Sequence, residues 1–304
     1  MKNPGIGPQE QCFGPVRFIP GPNRGRYPFC HSVYIEGAGV LIDPGGDRER
    51  LQNLRDTMGV SMVWLSHWHE DHWGHLDLFS DVPLWMSRQD APALSSVDAF
   101  FQAYGMDGPQ DARAREQFYP VLLEQFHFAP RTSARYLEPG QTLSLGSIQV
   151  QVIHAPGHTP GNMAFYFPNT GVLFLGDYDL TPFGPWYGDT GSSLADTIAS
   201  VEKLRSIKAR AWLTGHETGV FTSPPGALWE DYLQVIARRE KDLLRFLRQP
   251  STMEEIVSAW IVYQRPREPV PLYRFGERAI MGKHLEQLLQ QGKVVERDGV
   301  FQST

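Results

Sequence analysis

The sequence has few cysteines and no long apolar run, and each shortage narrows the class of protein. Cys12 and Cys30 are the only cysteines among 304 residues, so a disulfide framework does not hold the chain together, and free thiols or one bridge remain open. No stretch reaches the roughly 20 apolar residues of a membrane span, and the N-terminus lacks the apolar core of a signal peptide. The sequence predicts a soluble, cytoplasmic protein with no membrane partner.

The composition is that of an ordinary globular protein. Hydrophobic residues make up 41% and charged residues 20%, which excludes disordered, low-complexity and collagen-like chains. The 29 glycines and 24 prolines predict many turns and short elements rather than a long-helix bundle. The net charge is −6, but residues 238–304 carry 12 Lys+Arg against 9 Asp+Glu, so the tail is mildly basic on an acidic body.

The first two thirds of the chain read as layered α/β architecture. Two β-prone runs, Ser32 to Ile35 and Val40 to Ile42, predict a hairpin. A helix over 47–58 and a buried strand over Ser61 to Leu65 follow, and that strand delivers the chain into a polar loop. Further strands are predicted between Leu143 and Leu175 and at Ala211 to Leu213, with a surface helix over 192–206 between them.

The character changes after Pro224-Pro225, which predicts two domains, 1–225 and 226–304. Residues 228–247 form one long amphipathic pattern. Ser251 to Glu254 fits a capping box, residues 277–291 carry apolar side chains at helical spacing, and Asp298-Gly299 predicts a final hairpin. This order predicts a small winged-helix-like unit.

The chemistry is concentrated in one short loop. His67, His69, Asp71 and His72 lie within six residues directly after a buried strand. Imidazole and carboxylate are the ligands of zinc, iron or manganese. Alternate residues of an extended segment point the same way, so His67 and His69 can hold one ion. The chain has ten histidines, and three of them lie within these six residues. Such a cluster is not expected in an ordinary surface loop.

Three further candidate ligands stand at the exits of predicted strands. His158 follows the strand that ends near Ile153, Asp177 ends Leu173 to Asp177, and His216 ends Ala211 to His216. Catalytic groups collect on loops held by a rigid scaffold, so one shared rim is the economical interpretation.

These segments, with the turn Asp43-Pro44-Gly45, resemble the metallo-β-lactamase superfamily, specifically its glyoxalase II-like hydrolase branch. The resemblance implies a four-layer αββα sandwich. It also implies that His67, His69 and His158 hold one metal, that Asp71, His72 and His216 hold the other, and that Asp177 bridges them. Residues 251–304 resemble the winged-helix tail of the β-lactamase-like protein 2 group through 275–278 and 282–286.

Such a site implies a dinuclear hydrolase. A metal-bridging hydroxide would be the nucleophile, and Asp71 would orient it and accept its proton. Zinc is the expected metal, and manganese or iron fits the same ligands. Two divalent cations, two aspartates and one hydroxide leave a charge of about +1, so the small-molecule substrate could be anionic.

Other residues near the site divide into substrate and packing candidates. Tyr178, Trp186 and Tyr187 follow the bridging aspartate in a Gly/Pro-rich loop, where substrate contact is predicted. Trp68 and Trp73 are interpreted as packing beneath the loop. The other nearby polar residues are interpreted as packed, solvent-facing or supporting the ligands: His75, Glu70 and Glu217.

The predicted reaction is hydrolysis of a small acyl thioester or ester. A single-stranded RNA endonuclease is the second hypothesis, although a charge of +3 on the tail is a weak basic patch. A lactonase is third, because Leu180 stands where such enzymes usually have tyrosine, for which Tyr187 would have to substitute. The set of seven candidate ligands argues against two further hypotheses. A mononuclear-iron persulfide dioxygenase needs fewer ligands, and a non-enzymatic winged-helix regulator needs none. A homodimer is open.

Overall fold

The computed structural model describes residues 8–304, and two mixed β-sheets form its centre. The first sheet has the order β1-β2-β3-β4-β5-β6-β7, antiparallel from β1 to β4 and parallel from β4 to β7. Its strands are Gln11–Phe13 (β1), Val16–Ile19 (β2), Ser32–Ile35 (β3), Val40–Ile42 (β4), Met62–Trp64 (β5), Leu84–Met86 (β6) and Arg135–Tyr136 (β7). The predicted hairpin and the strand before the polar loop are both present.

The second sheet has the order β13-β12-β11-β10-β9-β8, and all its pairs are antiparallel except β11 with β12. Its strands are Thr142–Leu145 (β8), Ile148–His154 (β9), Met163–Phe167 (β10), Val172–Phe174 (β11), Ala211–Leu213 (β12) and Val220–Phe221 (β13). Apolar side chains of the two sheets, among them Val33, Ile42, Val150 and Phe165, form one fully buried cluster. The sheets therefore pack face to face.

Helices cover both outer faces. Within residues 8–304 the α-helices are Pro22–Gly25 (α1), Arg48–Met58 (α2), Glu70–Trp73 (α3), Val97–Tyr104 (α4), Ala112–Glu124 (α5), Leu194–Ser206 (α6), Leu228–Phe246 (α7), Met253–Ser258 (α8) and Val270–Gln290 (α9). Leu54 of α2 and Phe100 of α4 pack on the first sheet, and Leu204 of α6 packs on the second. The result is the predicted helix–sheet–sheet–helix sandwich.

The C-terminal region packs against the sandwich. Its third sheet contains Ser251–Thr252 (β14), which lies between α7 and α8, and the hairpin of Val294–Arg297 (β15) and Val300–Ser303 (β16), which follows α9. The three helices and the final hairpin occur in the predicted order. Buried Leu243, Ile280 and Leu285 cluster with Tyr187 and Leu194 of the sandwich. No helix of residues 8–304 is long and apolar enough to cross a membrane.

Two predicted boundaries were wrong. The capping box lies one residue later than predicted: Thr252 caps α8 and exchanges hydrogen bonds with Glu255. Ser251 is part of β14, where it pairs with Phe301, and so it does not cap the helix. Helix α9 begins at Val270 rather than 277, with Pro271 in its first turn, a position that proline favours.

Candidate metal centre

Parallel strand pairs bring the candidate ligands to one rim. In the β4–β5 pair Ile42 is opposite Trp64, so the loops after the two strands lie side by side. In the β11–β12 pair Phe174 is opposite Leu213, which places the loop of Asp177 beside that of His216. The carboxyl ends of parallel strands meet at the same sheet edge. Residues more than 100 positions apart therefore converge.

Tight backbone approaches fix the loops. Asp43 has a left-handed backbone, with φ +55°, and its buried carboxylate accepts hydrogen bonds from the Ser66 amide at 2.7 Å and the Ser66 hydroxyl at 2.6 Å. A Cβ on Gly45 would lie 1.5 Å from the carbonyl oxygen of Asp71, so only glycine fits there. The turn Asp43-Pro44-Gly45 thus positions the histidine loop.

The seven predicted ligands form two adjacent clusters. His67, His69, His158 and Asp177 supply one set of ligand atoms within 4.8 Å of one another, and Asp71, His72 and His216 supply the other. One carboxylate oxygen of Asp177 lies 3.3 Å from His158 Nε2, and the other lies 2.8 Å from His72 Nε2. Asp177 therefore faces both clusters, as a bridging ligand would.

Each histidine of the clusters directs one ring nitrogen outward to an acceptor. His72 Nδ1 lies 3.0 Å from the Asp43 carboxylate, His158 Nδ1 lies 3.1 Å from the Trp186 carbonyl, and His69 Nε2 lies 2.8 Å from Asp189. His67 Nδ1 is 3.0 Å from the Ser66 hydroxyl, and His216 Nδ1 faces the Gly25 carbonyl. These acceptors favour the tautomer in which the outward nitrogen holds the proton.

The inward nitrogens consequently present lone pairs to one another. His67 Nε2 lies 3.1 Å from His69 Nδ1 and 3.1 Å from His158 Nε2, and His72 Nε2 lies 3.3 Å from His216 Nε2. With His72 and His216 in these neutral tautomers, the buried Asp177 Oδ1 has no hydrogen-bond donor within residues 8–304, although it lies 2.8 Å from His72 Nε2 and 3.2 Å from His216 Nε2. Converging lone pairs and an unpaired carboxylate oxygen repel unless a cation lies between them. The donor set therefore fits a pair of divalent metals.

The electrostatics also favour bound positive charge. Burial opposes protonation of His216, but Asp177 and Asp71 outweigh it and raise the pKa of His216 to about 10. Burial likewise opposes protonation of His69, and Asp189 outweighs it and raises the pKa of His69 to about 9. A metal supplies the same charge and releases these protons when it binds.

Of the three predicted substrate residues, one lines a cavity and two are buried in the core. Trp186 lines the cavity beside the metal centre. The predictions for Tyr178 and Tyr187 were wrong, because both are fully buried and neither lines that cavity. The Tyr178 hydroxyl donates to the Pro156 carbonyl at 2.7 Å, and the Tyr187 hydroxyl lies 3.0 Å from His284 Nε2.

Nearby polar and aromatic residues are packed as follows. Trp68 and Trp73 are buried in the core beneath the loop. Glu70 is buried rather than solvent-facing, and the hydroxyls of Tyr27 and Tyr104 donate to it at 2.9 and 2.6 Å.

His75 is buried, with Nδ1 3.4 Å from the guanidinium of Arg48. Glu217 pairs with Arg26. Cys12 and Cys30 are free thiols.

Sequence reasoning missed the acceptor Asp189 and the cavity wall contributed by residues 263–275. Asp189 belongs to no motif, and its partner His69 is 120 positions away. The only sequence signal was the Gly/Pro-rich loop that also contains Trp186.

Comparison with known proteins is consistent with this geometry. The family model described as "Metallo-beta-lactamase superfamily" matches residues 25–216. A Drosophila melanogaster protein named beta-lactamase-like protein 2 homolog is 25% identical over 278 residues, 86% of this chain and 83% of its own. The crystal structure of a metallo-beta-lactamase family protein from Thermus thermophilus superposes with a TM-score of 0.73 at 21% identity, covering 95% of this chain and 99% of that one.

Two further relatives are named as thioesterases. An atrochrysone carboxyl ACP thioesterase of Aspergillus fumigatus is 25% identical, over 71% of this chain and 59% of its own. An acyl-coenzyme A thioesterase of Gallus gallus is 26% identical, over 58% of this chain and 59% of its own.

Proposed function

This chain belongs to the metallo-beta-lactamase superfamily, and on that premise we propose that it is a dinuclear metal-dependent hydrolase that cleaves acyl thioesters or esters. The observation that carries the proposal is the arrangement of six candidate ligands around a seventh, Asp177, whose two oxygens face the two clusters. The thioesterase names of two relatives support a thioester as the substrate. Zinc is the proposed metal, with manganese and iron as the other metals that suit these ligands.

The chain's own residues have defined roles in this proposal. Two divalent metals held by the seven candidate ligands would supply a water of lowered pKa and would polarise the substrate carbonyl. Asp71 lines the cavity, so its carboxylate is placed to accept a proton from the attacking water. A C–O bond forms as the C–S bond breaks, and Asp71 returns the proton to the leaving thiolate. The products are a carboxylic acid and a thiol.

The contacts of the tail argue against the RNA endonuclease. The lysine and the arginine of segment 277–290 that would face RNA in a winged helix are engaged within the protein: Arg278 pairs with Asp111 at 3.0 Å, and Lys283 donates to the Thr190 carbonyl at 3.0 Å. His284 is fully buried. A nucleic-acid site needs unengaged cations.

The lactonase and dioxygenase hypotheses also lack support. Tyr187 cannot substitute for the tyrosine of a lactonase while its hydroxyl contacts His284 and Arg239. The second cluster, with His216, exceeds what a mononuclear iron site requires. We retain the division into 1–225 and 226–304, the winged-helix character of the tail and the cytoplasmic location as proposals.

The test combines elemental analysis with turnover. Purified protein should contain two metal equivalents and should hydrolyse a thioester, with the activity lost after chelation. The variant Asp177→Asn should weaken metal binding and activity by more than the 10–100-fold that accompanies loss of an outer hydrogen-bond partner. It removes the negative charge between the clusters and replaces one of the two facing oxygens by an amide nitrogen that cannot bind metal. Asp56→Asn, an exposed change on α2, is the matched control. Cleavage of single-stranded RNA without thioester turnover would overturn the proposal.

A further inference from the structure

A cavity of about 390 Å³ opens directly on the metal centre. Four predicted ligands, namely His69, Asp71, His158 and Asp177, form its inner end. Its outer wall comes from the C-terminal segment 263–275, so the tail completes the cavity. Ligand cavities in proteins usually measure about 300 to 1,000 Å³, and this one is large enough for more than an acetyl group.

Aromatic side chains form much of the cavity wall. Tyr263 lies between Phe183, with centroids 5.7 Å apart, and Tyr273, with centroids 4.9 Å apart. The Tyr104 ring also lines the cavity and contacts Phe275 edge to face at 6.2 Å, and the Tyr104 hydroxyl donates to Glu70. Such walls favour a flat apolar group.

Arg267 is the only lysine or arginine that lines the cavity among residues 8–304. Its guanidinium carbon lies 5.7 Å from the centre of the Tyr263 ring and 5.9 Å from that of Tyr273. In the same part of the chain it forms no ion pair with a carboxylate within 4.0 Å. A guanidinium held by rings keeps its N–H donors free for a planar anion such as carboxylate or phosphate.

We propose that this cavity binds a bulky, ring-bearing acyl group with its carbonyl at the metal centre, and that Arg267 binds an anionic group of the same substrate. The inference rests on the proposed thioesterase function and replaces the small acyl group expected from the sequence by a larger, apolar one. The anion is either a carboxylate on the acyl group or a phosphate on the thiol carrier.

Binding of the acyl group in the cavity is tested with N-acetylcysteamine thioesters, which carry no phosphate. We expect kcat/KM for the 2-naphthoyl thioester to exceed that for the acetyl thioester by at least about tenfold, the scale of one or two buried methylenes. Leu272→Trp fills the cavity and should lower the naphthoyl-to-acetyl ratio about tenfold. Leu289→Trp, an exposed change on the same helix, should leave the ratio unchanged. A ratio near one in the parent protein would overturn the acyl subsite.

The binding of the anionic group is tested with Arg267→Gln. Arg265→Gln is the control, because Arg265 is exposed like Arg267 and only two residues away but lies outside the cavity. Arg267→Gln should raise KM about tenfold for a substrate with the relevant anion. An effect on 2-naphthoyl coenzyme A alone identifies the carrier phosphate. An effect on a carboxynaphthoyl N-acetylcysteamine thioester identifies the acyl carboxylate. Equal KM values in both variants for both substrates would overturn the role of Arg267.

A binding measurement separates this inference from the proposed function. The 2-naphthylmethyl thioether of coenzyme A has no cleavable carbonyl, and its binding can be followed by calorimetry. Binding that Leu272→Trp weakens, in a protein that hydrolyses no thioester, would support the cavity assignment and overturn the proposed function. Hydrolysis of acetyl thioester without thioether binding would overturn the cavity assignment and leave the function in place.

Discussion

At the scale of single residues, Asp189 connects the long loop after β11 to a candidate ligand. Its carboxylate accepts from His69 Nε2 at 2.8 Å and from the Trp186 indole at 2.9 Å. The first contact fixes the His69 tautomer that directs Nδ1 inward, and the second holds Trp186 at the cavity wall. Partners of this kind raise the basicity of a ligand and fix the orientation of its ring.

Asp189→Asn should therefore weaken metal binding about 10–100-fold, because the neutral amide is a poorer acceptor for His69. The measurement is competition for metal between the purified variant and a chromogenic chelator, with circular dichroism to show that the fold is retained. The control Asp56→Asn should bind metal as the parent protein does. Equal affinities in all three proteins would show that His69 does not depend on Asp189.

His284 makes stability depend on pH. Burial and then the nearby Arg239 charge lower the pKa of His284 to about 3, from about 6.5 in an unfolded chain. The unfolded state therefore binds more protons between these two values, so the free energy of unfolding falls as the pH drops below 6.5. One such group lowers it by up to about 1.4 kcal/mol per pH unit.

His284→Gln, which cannot charge, should show a shallower loss of stability between pH 6.5 and 5 than the parent protein. Urea unfolding of the chelated protein at several pH values measures the two slopes. His127→Asn, a change at an exposed histidine, should keep the parent slope. Indistinguishable slopes for the parent and His284→Gln would contradict the assignment.

The candidate ligands could be predicted from the sequence because each lies in a short segment with local constraints. The pattern His67 to His72 needs no knowledge of distant contacts, and His158, Asp177 and His216 each follow an apolar strand. Asp189 and Arg267 could not be predicted, because each acquires its role from a partner that only the tertiary fold brings near. The aromatic residues that line the cavity could not be predicted for a related reason. Trp186 and Tyr187 are adjacent in the sequence, but Trp186 lines the cavity and Tyr187 is buried in the core.

At the scale of elements, helix α7 holds the loop that carries Trp186. Buried Arg239 donates from one guanidinium nitrogen to the Pro185 carbonyl at 2.8 Å and to the Tyr187 hydroxyl at 3.0 Å, and from another to the Phe183 carbonyl at 2.8 Å. The Trp186 carbonyl in turn accepts from His158. Helix α7 is thus connected to the candidate metal centre through one loop.

Arg239→Met should cost about 3 kcal/mol of unfolding free energy, because it leaves buried oxygens without a donor. It should also weaken metal binding, by less than Asp189→Asn does, since it acts on His158 only through the loop. Urea unfolding and chelator competition measure the two effects. Arg238→Met, at the exposed neighbour on α7, is the control. A stability change with unaltered metal affinity would show that the loop keeps its place without Arg239.

Helices and strands could be predicted where the hydrophobic pattern is regular. They were missed where contacts between residues distant in the sequence determine the element. The hairpin of β3 and β4 and helix α7 follow from alternation and from helical spacing. Strands β1 and β2 were not predicted in a turn-rich opening, because their pairing with β3 fixes them. The first turns of α9 were missed because Leu272 and Phe275 face the metal-site cavity rather than continuing the apolar stripe of the helix.

At the scale of the whole molecule, the proposed boundary near residue 225 separates two regions that share their cores. The first half of α7 packs on the second sheet through Trp229 and Tyr232, and its second half packs in the C-terminal cluster through Leu243. Tyr187 and Leu194 of the sandwich belong to that same cluster. Regions joined by a large apolar interface are expected to unfold together rather than as independent domains.

The chain should therefore unfold in one transition, with the sandwich and the tail opening at the same denaturant concentration. Hydrogen exchange measured by mass spectrometry at increasing urea follows peptides of β9 to β11 and of α9 in one experiment. We expect their opening free energies to agree within about 1 kcal/mol, because loss of α9 would expose the Tyr187 cluster and remove one wall of the metal-site cavity. Opening of α8 and α9 at much lower urea, with the sandwich protected, would instead indicate two independent domains. In that case substrate specificity could be altered by exchanging the tail alone, whereas joint unfolding implies that the tail and the metal centre have to be redesigned together.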